Sequence, residues 1–87
     1  MKINKAASAG TLESNDILIM VAPNEEEAIE IQLDSIVMKQ FGEEIEGVIR
    51  QVLQELSITS VKLRAQDKGA LNYTVRARVE AACRRGA

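Results

Sequence analysis

Hydrophobic residues change their spacing four times along this chain of 87 residues, and each change marks a change of element. Ile17-Leu18-Ile19-Met20-Val21 is an unbroken apolar run rich in β-branched residues. Such a run suits a strand covered on both faces, or one whose outer face is unusually hydrophobic. Ala7 to Glu13 is weaker but can pair with it, and Glu13-Ser14-Asn15-Asp16 supplies turn chemistry, Asn15 and Asp16 being residues that tolerate left-handed dihedrals or cap their own backbone. The pattern predicts a β-hairpin with Ser14 at or beside its tip. Pro23 and Asn24 end that strand. After Glu25-Glu26-Glu27, the residues Ile29, Ile31 and Leu33 alternate with Glu30, Gln32 and Asp34, the period of a half-buried strand. Three successive strands with short links predict an antiparallel meander.

From Val37 the period becomes helical: Val37, Phe41, Ile45, Val48, Ile49, Val52, Leu53 and Leu56 form one stripe. A helix from Met38 to Leu56 would be about 28 Å long. Ser35 can cap its start, although Ile36-Val37-Met38 could also prolong the strand. Gly42 and Gly47 are expected to allow close helix packing. Val61, Leu63 and Ala65 then alternate with Lys62, Arg64 and Gln66, a further strand with basic polar positions, broken by Asp67-Lys68-Gly69. Leu71, Val75, Val79 and Ala82 recur at helical spacing, while Leu71, Tyr73, Val75, Ala77 and Val79 also alternate as a strand would. Good helix formers at Ala70 and from Arg76 to Arg85 favour a helix, capped by Asp67 or a neighbour. The order β-β-β-α-β-α predicts a two-layer α+β fold, a small and mostly antiparallel sheet with two helices on one face. Residues 1–87 are read as a single domain of roughly 12 Å radius of gyration.

Composition narrows the chemistry. Phe41 and Tyr73 are the only aromatics and the net charge is -2, which argues against nucleic acid, whose binders need stacking platforms or a positive field. Arg76, Arg78, Arg84 and Arg85 read as a solvated helix face. With no histidine and one cysteine, Cys83, neither a zinc site nor an internal disulfide can be assembled. No apolar run has the length of a membrane span and no signal-peptide core is present, so a cytoplasmic protein that binds neither membrane nor nucleic acid is expected.

Catalysis finds few candidates. A nucleophilic serine needs a positioned base, and histidine is absent. Glu13 and Asp16 flank Ser14, but on a small exposed turn they are expected to stay solvated and too weakly basic to deprotonate an alcohol. The glycines are scattered and form no phosphate loop. Ser14 is thus badly placed to attack a substrate and well placed to be modified.

The stretch Ala9-Gly10-Thr11-Leu12-Glu13-Ser14-Asn15-Asp16 closely resembles the modification segment of the acyl carrier subunit, or gamma chain, of citrate lyase. Met1-Lys2-Ile3-Asn4, Lys39-Gln40-Phe41-Gly42, Asp67-Lys68-Gly69-Ala70-Leu71 and Arg76-Ala77-Arg78-Val79-Glu80-Ala81 extend the resemblance over nearly the whole chain. The family has glycine at the position of Asn15, and asparagine is the next-best residue for a left-handed turn. The resemblance implies a non-catalytic carrier with Ser14 joined through a phosphodiester to a phosphoribosyl-dephospho-CoA arm. It also implies the alpha and beta subunits of citrate lyase and a prosthetic-group transferase as partners, with Glu13 and Asp16 as contacts for them.

Two other readings stand beside it. Asp34-Ser35-Ile36 resembles the Asp-Ser-Leu motif of conventional phosphopantetheine carriers, which are helical bundles, and would put the attachment at Ser35. Alternatively the chain is a non-carrier α+β interaction module, with Ser14 unmodified and an exposed strand edge or the acidic loop binding a partner.

Overall fold

A computed structural model describes residues 1–87. The elements follow in the order β1 (Ala7–Ala9), β2 (Ile17–Ala22), β3 (Ile29–Ser35), α1 (Met38–Glu55), β4 (Val61–Asp67) and α2 (Asn72–Gly86). This is the expected α+β order, and the radius of gyration is 11.6 Å. The presence of a four-stranded sheet is incompatible with a helical-bundle carrier.

The strands do not form a meander. Their spatial order is β1-β2-β4-β3, with β1/β2 and β2/β4 antiparallel and β3/β4 parallel. β4 therefore occupies the interior between β2 and β3, and α1 is the crossover that parallel pairing of β3 with β4 requires. Alternation had revealed which residues of β3 face inward but carried no information about its neighbour.

One face of the sheet is apolar except at the end where Asp67 pairs with Ile17 and Ser35. Ile19 pairs with Ala65 and Ala65 with Leu33, while Val21 pairs with Leu63 and Leu63 with Ile31. Against this face α2 covers β1 and β2, α1 covers β3, and the two helices touch. Ile49, Leu53, Val75 and Val79 are fully buried between the layers, each such side chain contributing roughly 1.5–3 kcal/mol on removal from water. The opposite face has no helix. Lys62, Arg64, Glu30 and Gln32 are exposed there, beside half-buried Leu18 and Met20. The apolar run of β2 thus has one buried face and one partly apolar outer face.

Residues 72 to 86 are helical. Alternation from Leu71 to Val79 loses to the stripe Val75, Val79, Ala82, Cys83, whose members are all buried. Leu71 is not part of that stripe; it stands just before the helix and is exposed. Phe41 likewise falls on the α1 stripe by spacing but is 48% exposed, because an open groove separates the first turns of α1 and α2 there. The packing expected of Gly42 and Gly47 also differs: a Cβ on Gly42 would meet only Met38 of its own helix, and one on Gly47 would meet nothing. The chain ends join, since the Asn4 and Lys5 N–H groups donate to the Gly86 carbonyl at 2.7 and 3.1 Å.

Candidate functional site

Ser14 occupies the turn that links β1 to β2. The Asp16 N–H donates to the Glu13 carbonyl at 3.2 Å, closing a four-residue turn with Ser14 and Asn15 at its centre. Asn15 has φ 66°, the left-handed conformation that asparagine accepts at modest cost. Ser14 is exposed, and the side-chain hydrogen bonds of the turn run through Thr11 and Asp16, leaving its hydroxyl free. At the base of the turn Gly10 has φ +96°, and a Cβ there would overlap the Ile17 carbonyl oxygen. Only glycine lets the chain enter the turn this closely.

The flanking acid is not the solvated group its position suggested. Asp16 is 9% exposed. Its carboxylate accepts two hydrogen bonds from Arg78 of α2, Nε to Oδ1 at 3.0 Å and a terminal nitrogen to Oδ2 at 3.1 Å. It also accepts from the Thr11 hydroxyl at 2.7 Å and from the Ile17 N–H at 2.8 Å. Donation from Arg78, and then from Thr11, outweighs the cost of burial and holds the carboxyl down at about 2. Asp16 is a fixed anion with no basicity to offer, and Arg78 is its clamp rather than part of a solvated face. Glu13 remains exposed, as expected.

A second staple joins the turn to the end of β4. The Asn15 N–H donates to the Lys68 carbonyl at 2.8 Å, and the Lys68 N–H to the Asp16 carbonyl at 2.8 Å. The free serine thus stands on a rigid frame held by β2, β4 and α2. Arg78 and Thr11 complete that frame; Thr11 is five residues from Asp16, whereas Arg78 is 62 residues away, and no local spacing in the sequence marks its role.

Ser35 has a different environment. Its hydroxyl donates to Asp67 at 2.7 Å and accepts from the Val37 N–H at 3.0 Å. Asp67, 2% exposed, also accepts from the Ala70 N–H at 2.9 Å. Ser35 therefore does not cap α1, whose N-cap position is Val37 without a side-chain bond, and Asp67 does not cap α2, whose N-cap position is Leu71. The two side chains instead pin the ends of β3 and β4 to the loops that follow, and the Ser35 hydroxyl is committed to that task. Cys83 is free and buried, and burial alone pushes its thiol up to about 11.

Residues 4–86 match the model of a family described as "Malonate decarboxylase delta subunit (MdcD)" under the heading acyl carrier protein. The citrate lyase acyl carrier protein of Streptococcus pyogenes serotype M5 (strain Manfredo) is 51% identical over 87 residues, covering 100% of this chain and 85% of the relative. The chain belongs to this acyl carrier protein family. The citrate lyase acyl carrier protein of S. pyogenes serotype M4 (strain MGAS10750) is equally similar, at 51% over the same span. Among solved structures, the fold is shared with a chain of a Pseudomonas malonate decarboxylase hetero-tetramer crystallised with malonate. There the TM-score is 0.74 at 17% identity, over 98% of this chain and 87% of that one. An acyl carrier relies on a covalently attached group for its chemistry, in keeping with a chain that has no histidine and whose Asp16, two residues from Ser14, is held in an ion pair. No helix is long and apolar enough to cross a membrane.

Proposed function

We propose that this acyl carrier protein is the carrier subunit of citrate lyase and that Ser14 is the attachment point of a phosphoribosyl-dephospho-CoA arm, joined through a phosphodiester. The supporting observation is the contrast between two hydroxyls. That of Ser14 is exposed and unengaged on a clamped turn, whereas that of Ser35 is consumed by Asp67 and Val37. The residues around Ser14 fit such a group, because an oxygen that must form a phosphodiester needs an open approach and no competing hydrogen bond.

When bound, the arm would supply the thiol that carries acetyl and citryl groups as thioesters. The chain's own residues hold the origin of the arm. Asp16, Arg78 and the Lys68 backbone fix the turn, so that tethering translates into a defined effective concentration at the alpha and beta subunits of the lyase. Forming the link requires a base to accept the Ser14 proton. Asp16, held at about 2, is unsuited to that role, so the base comes from the prosthetic-group transferase.

The test is the intact mass of carrier produced together with the lyase assembly enzymes. An added mass equal to the phosphoribosyl-dephospho-CoA group, absent from Ser14→Ala and retained in Ser35→Ala, is expected. Loss on Ser35→Ala alone would overturn the assignment.

A further inference from the structure

Large apolar side chains are exposed at seven positions, and six of them, Leu12, Ile36, Met38, Phe41, Leu71 and Tyr73, belong to the Ser14 end of the molecule. Leu12 is in the turn itself. Ile36 and Met38 follow β3, whose last residue pairs with the last residue of β4 beside the first residue of β2. Phe41, Leu71 and Tyr73 line a groove of about 470 Å³ between the first turns of the two helices. Gly69 joins groove and turn: it lines the groove, and a Cβ on it would be 3.7 Å from Asn15 Oδ1 and 3.7 Å from Ile36 Cδ1. Both aromatics of the chain are here, Tyr73 being 71% exposed. Exposed apolar surface gathered in this way is characteristic of a protein interaction face.

We propose that this apolar end is the docking surface of the transferase that modifies Ser14. The partner follows from the chemistry of the step. The bond from Ser14 Oγ to phosphorus forms, the bond from that phosphorus to the departing phosphate of an activated, polyphosphorylated form of the arm breaks, and the serine proton passes to a base on the transferase. All three events occur at Oγ, so the transferase must close over the turn and meet Leu12, Ile36 and the groove beside it. The lyase subunits meet the acyl group at the thiol end of the arm, so their chemistry does not require them to close over the turn. A second copy of this chain seated here would bury Ser14 and prevent its modification. The docking face presupposes that Ser14 is the modified residue.

The experiment uses full-length carrier without its arm, the purified transferase and the polyphosphorylated arm precursor, with modification followed by intact mass at varied carrier concentration. Leu71→Ser combined with Tyr73→Ser is expected to raise KM for the carrier tenfold or more with kcat within twofold. Arg64→Glu on the open sheet face is expected to change neither. Both side chains are exposed, and circular dichroism of the variant verifies its fold. In parallel, ¹⁵N-labelled Ser14→Ala carrier titrated with transferase alone should lose amide signals at Leu12, Ile36, Phe41, Leu71 and Tyr73. An unchanged KM, signal loss centred on Lys62 and Arg64, or groove signals that the transferase leaves untouched would each overturn the docking surface. Peptide mapping of the added mass to a residue other than Ser14 would instead overturn the assignment on which it stands.

Discussion

Replacing Arg78 with methionine removes the clamp on Asp16 while keeping an unbranched side chain of similar length along α2. A carboxyl lowered from 3.8 to about 2 corresponds to about 2.5 kcal/mol, at ~1.4 kcal/mol per pH unit. That total is shared, since Thr11 and the Ile17 N–H donate to the same carboxylate and remain in the variant. The Arg78 side chain is also 40% exposed, so water screens its part of the interaction. Bidentate geometry keeps the pair above an ordinary surface bridge, and the expected loss for Arg78→Met is about 1–1.5 kcal/mol at pH 7. The sign of the pH dependence follows from the lowered value. The folded carboxyl titrates below the unfolded one, so its stabilisation is complete above 3.8 and is lost as pH falls through about 2. Urea denaturation followed by far-ultraviolet circular dichroism at pH 7, 4, 3 and 2 measures the gap between wild type and variant. It should be near its full size at pH 7 and shrink towards zero at pH 2. A gap at pH 7 below about 0.3 kcal/mol, or one that persists undiminished at pH 2, would refute the role given to this pair.

Ser35→Ala should lower stability by about 1–3 kcal/mol in denaturant titrations, since it deprives buried Asp67 of a donor and the Val37 N–H of its acceptor. Ser14→Ala should leave the denaturation midpoint unchanged, because the hydroxyl of that exposed residue supports nothing in the fold. Gly10→Ala should destabilise the chain by about 3 kcal/mol or more, as its Cβ would overlap the Ile17 carbonyl at a positive φ; failure to accumulate as folded protein, seen by circular dichroism, is the extreme outcome. Cys83 should resist a disulfide-exchange reagent at pH 8 in native protein and react promptly in urea, because burial raises its thiol to about 11.

Sequence periodicity reached the elements and most of the core, and it failed where the deciding contact was distant. The helical stripe of α1 and the alternation of β3 are local consequences of one face being buried, so they could be read from neighbouring residues. Whether β3 pairs with β2 or with β4 depends on the loop and helix of residues 36–60, and period two is the same for both outcomes. Phe41 and Leu71 fit apolar stripes but extend beyond what the opposing helix can cover. At the candidate site, Asn15 in a left-handed turn was legible from residue type alone. The clamp was not, since Asp16 and Arg78 stand 62 positions apart and either could have been an ordinary solvated charge.

That separation has a consequence in time. A ribosome releases Ser14 long before it has made Arg78 or the strand that supplies Lys68. In the growing chain the β1/β2 hairpin lacks both staples, and its apolar strand still waits for β4 to cover the edge that β4 later occupies. The turn can gain its Asp16–Arg78 clamp only after α2 has closed onto the sheet. Under the attachment proposed at Ser14, a modifying enzyme that reads the rigid turn together with the helix ends beside it would select finished carriers and pass over nascent or damaged ones.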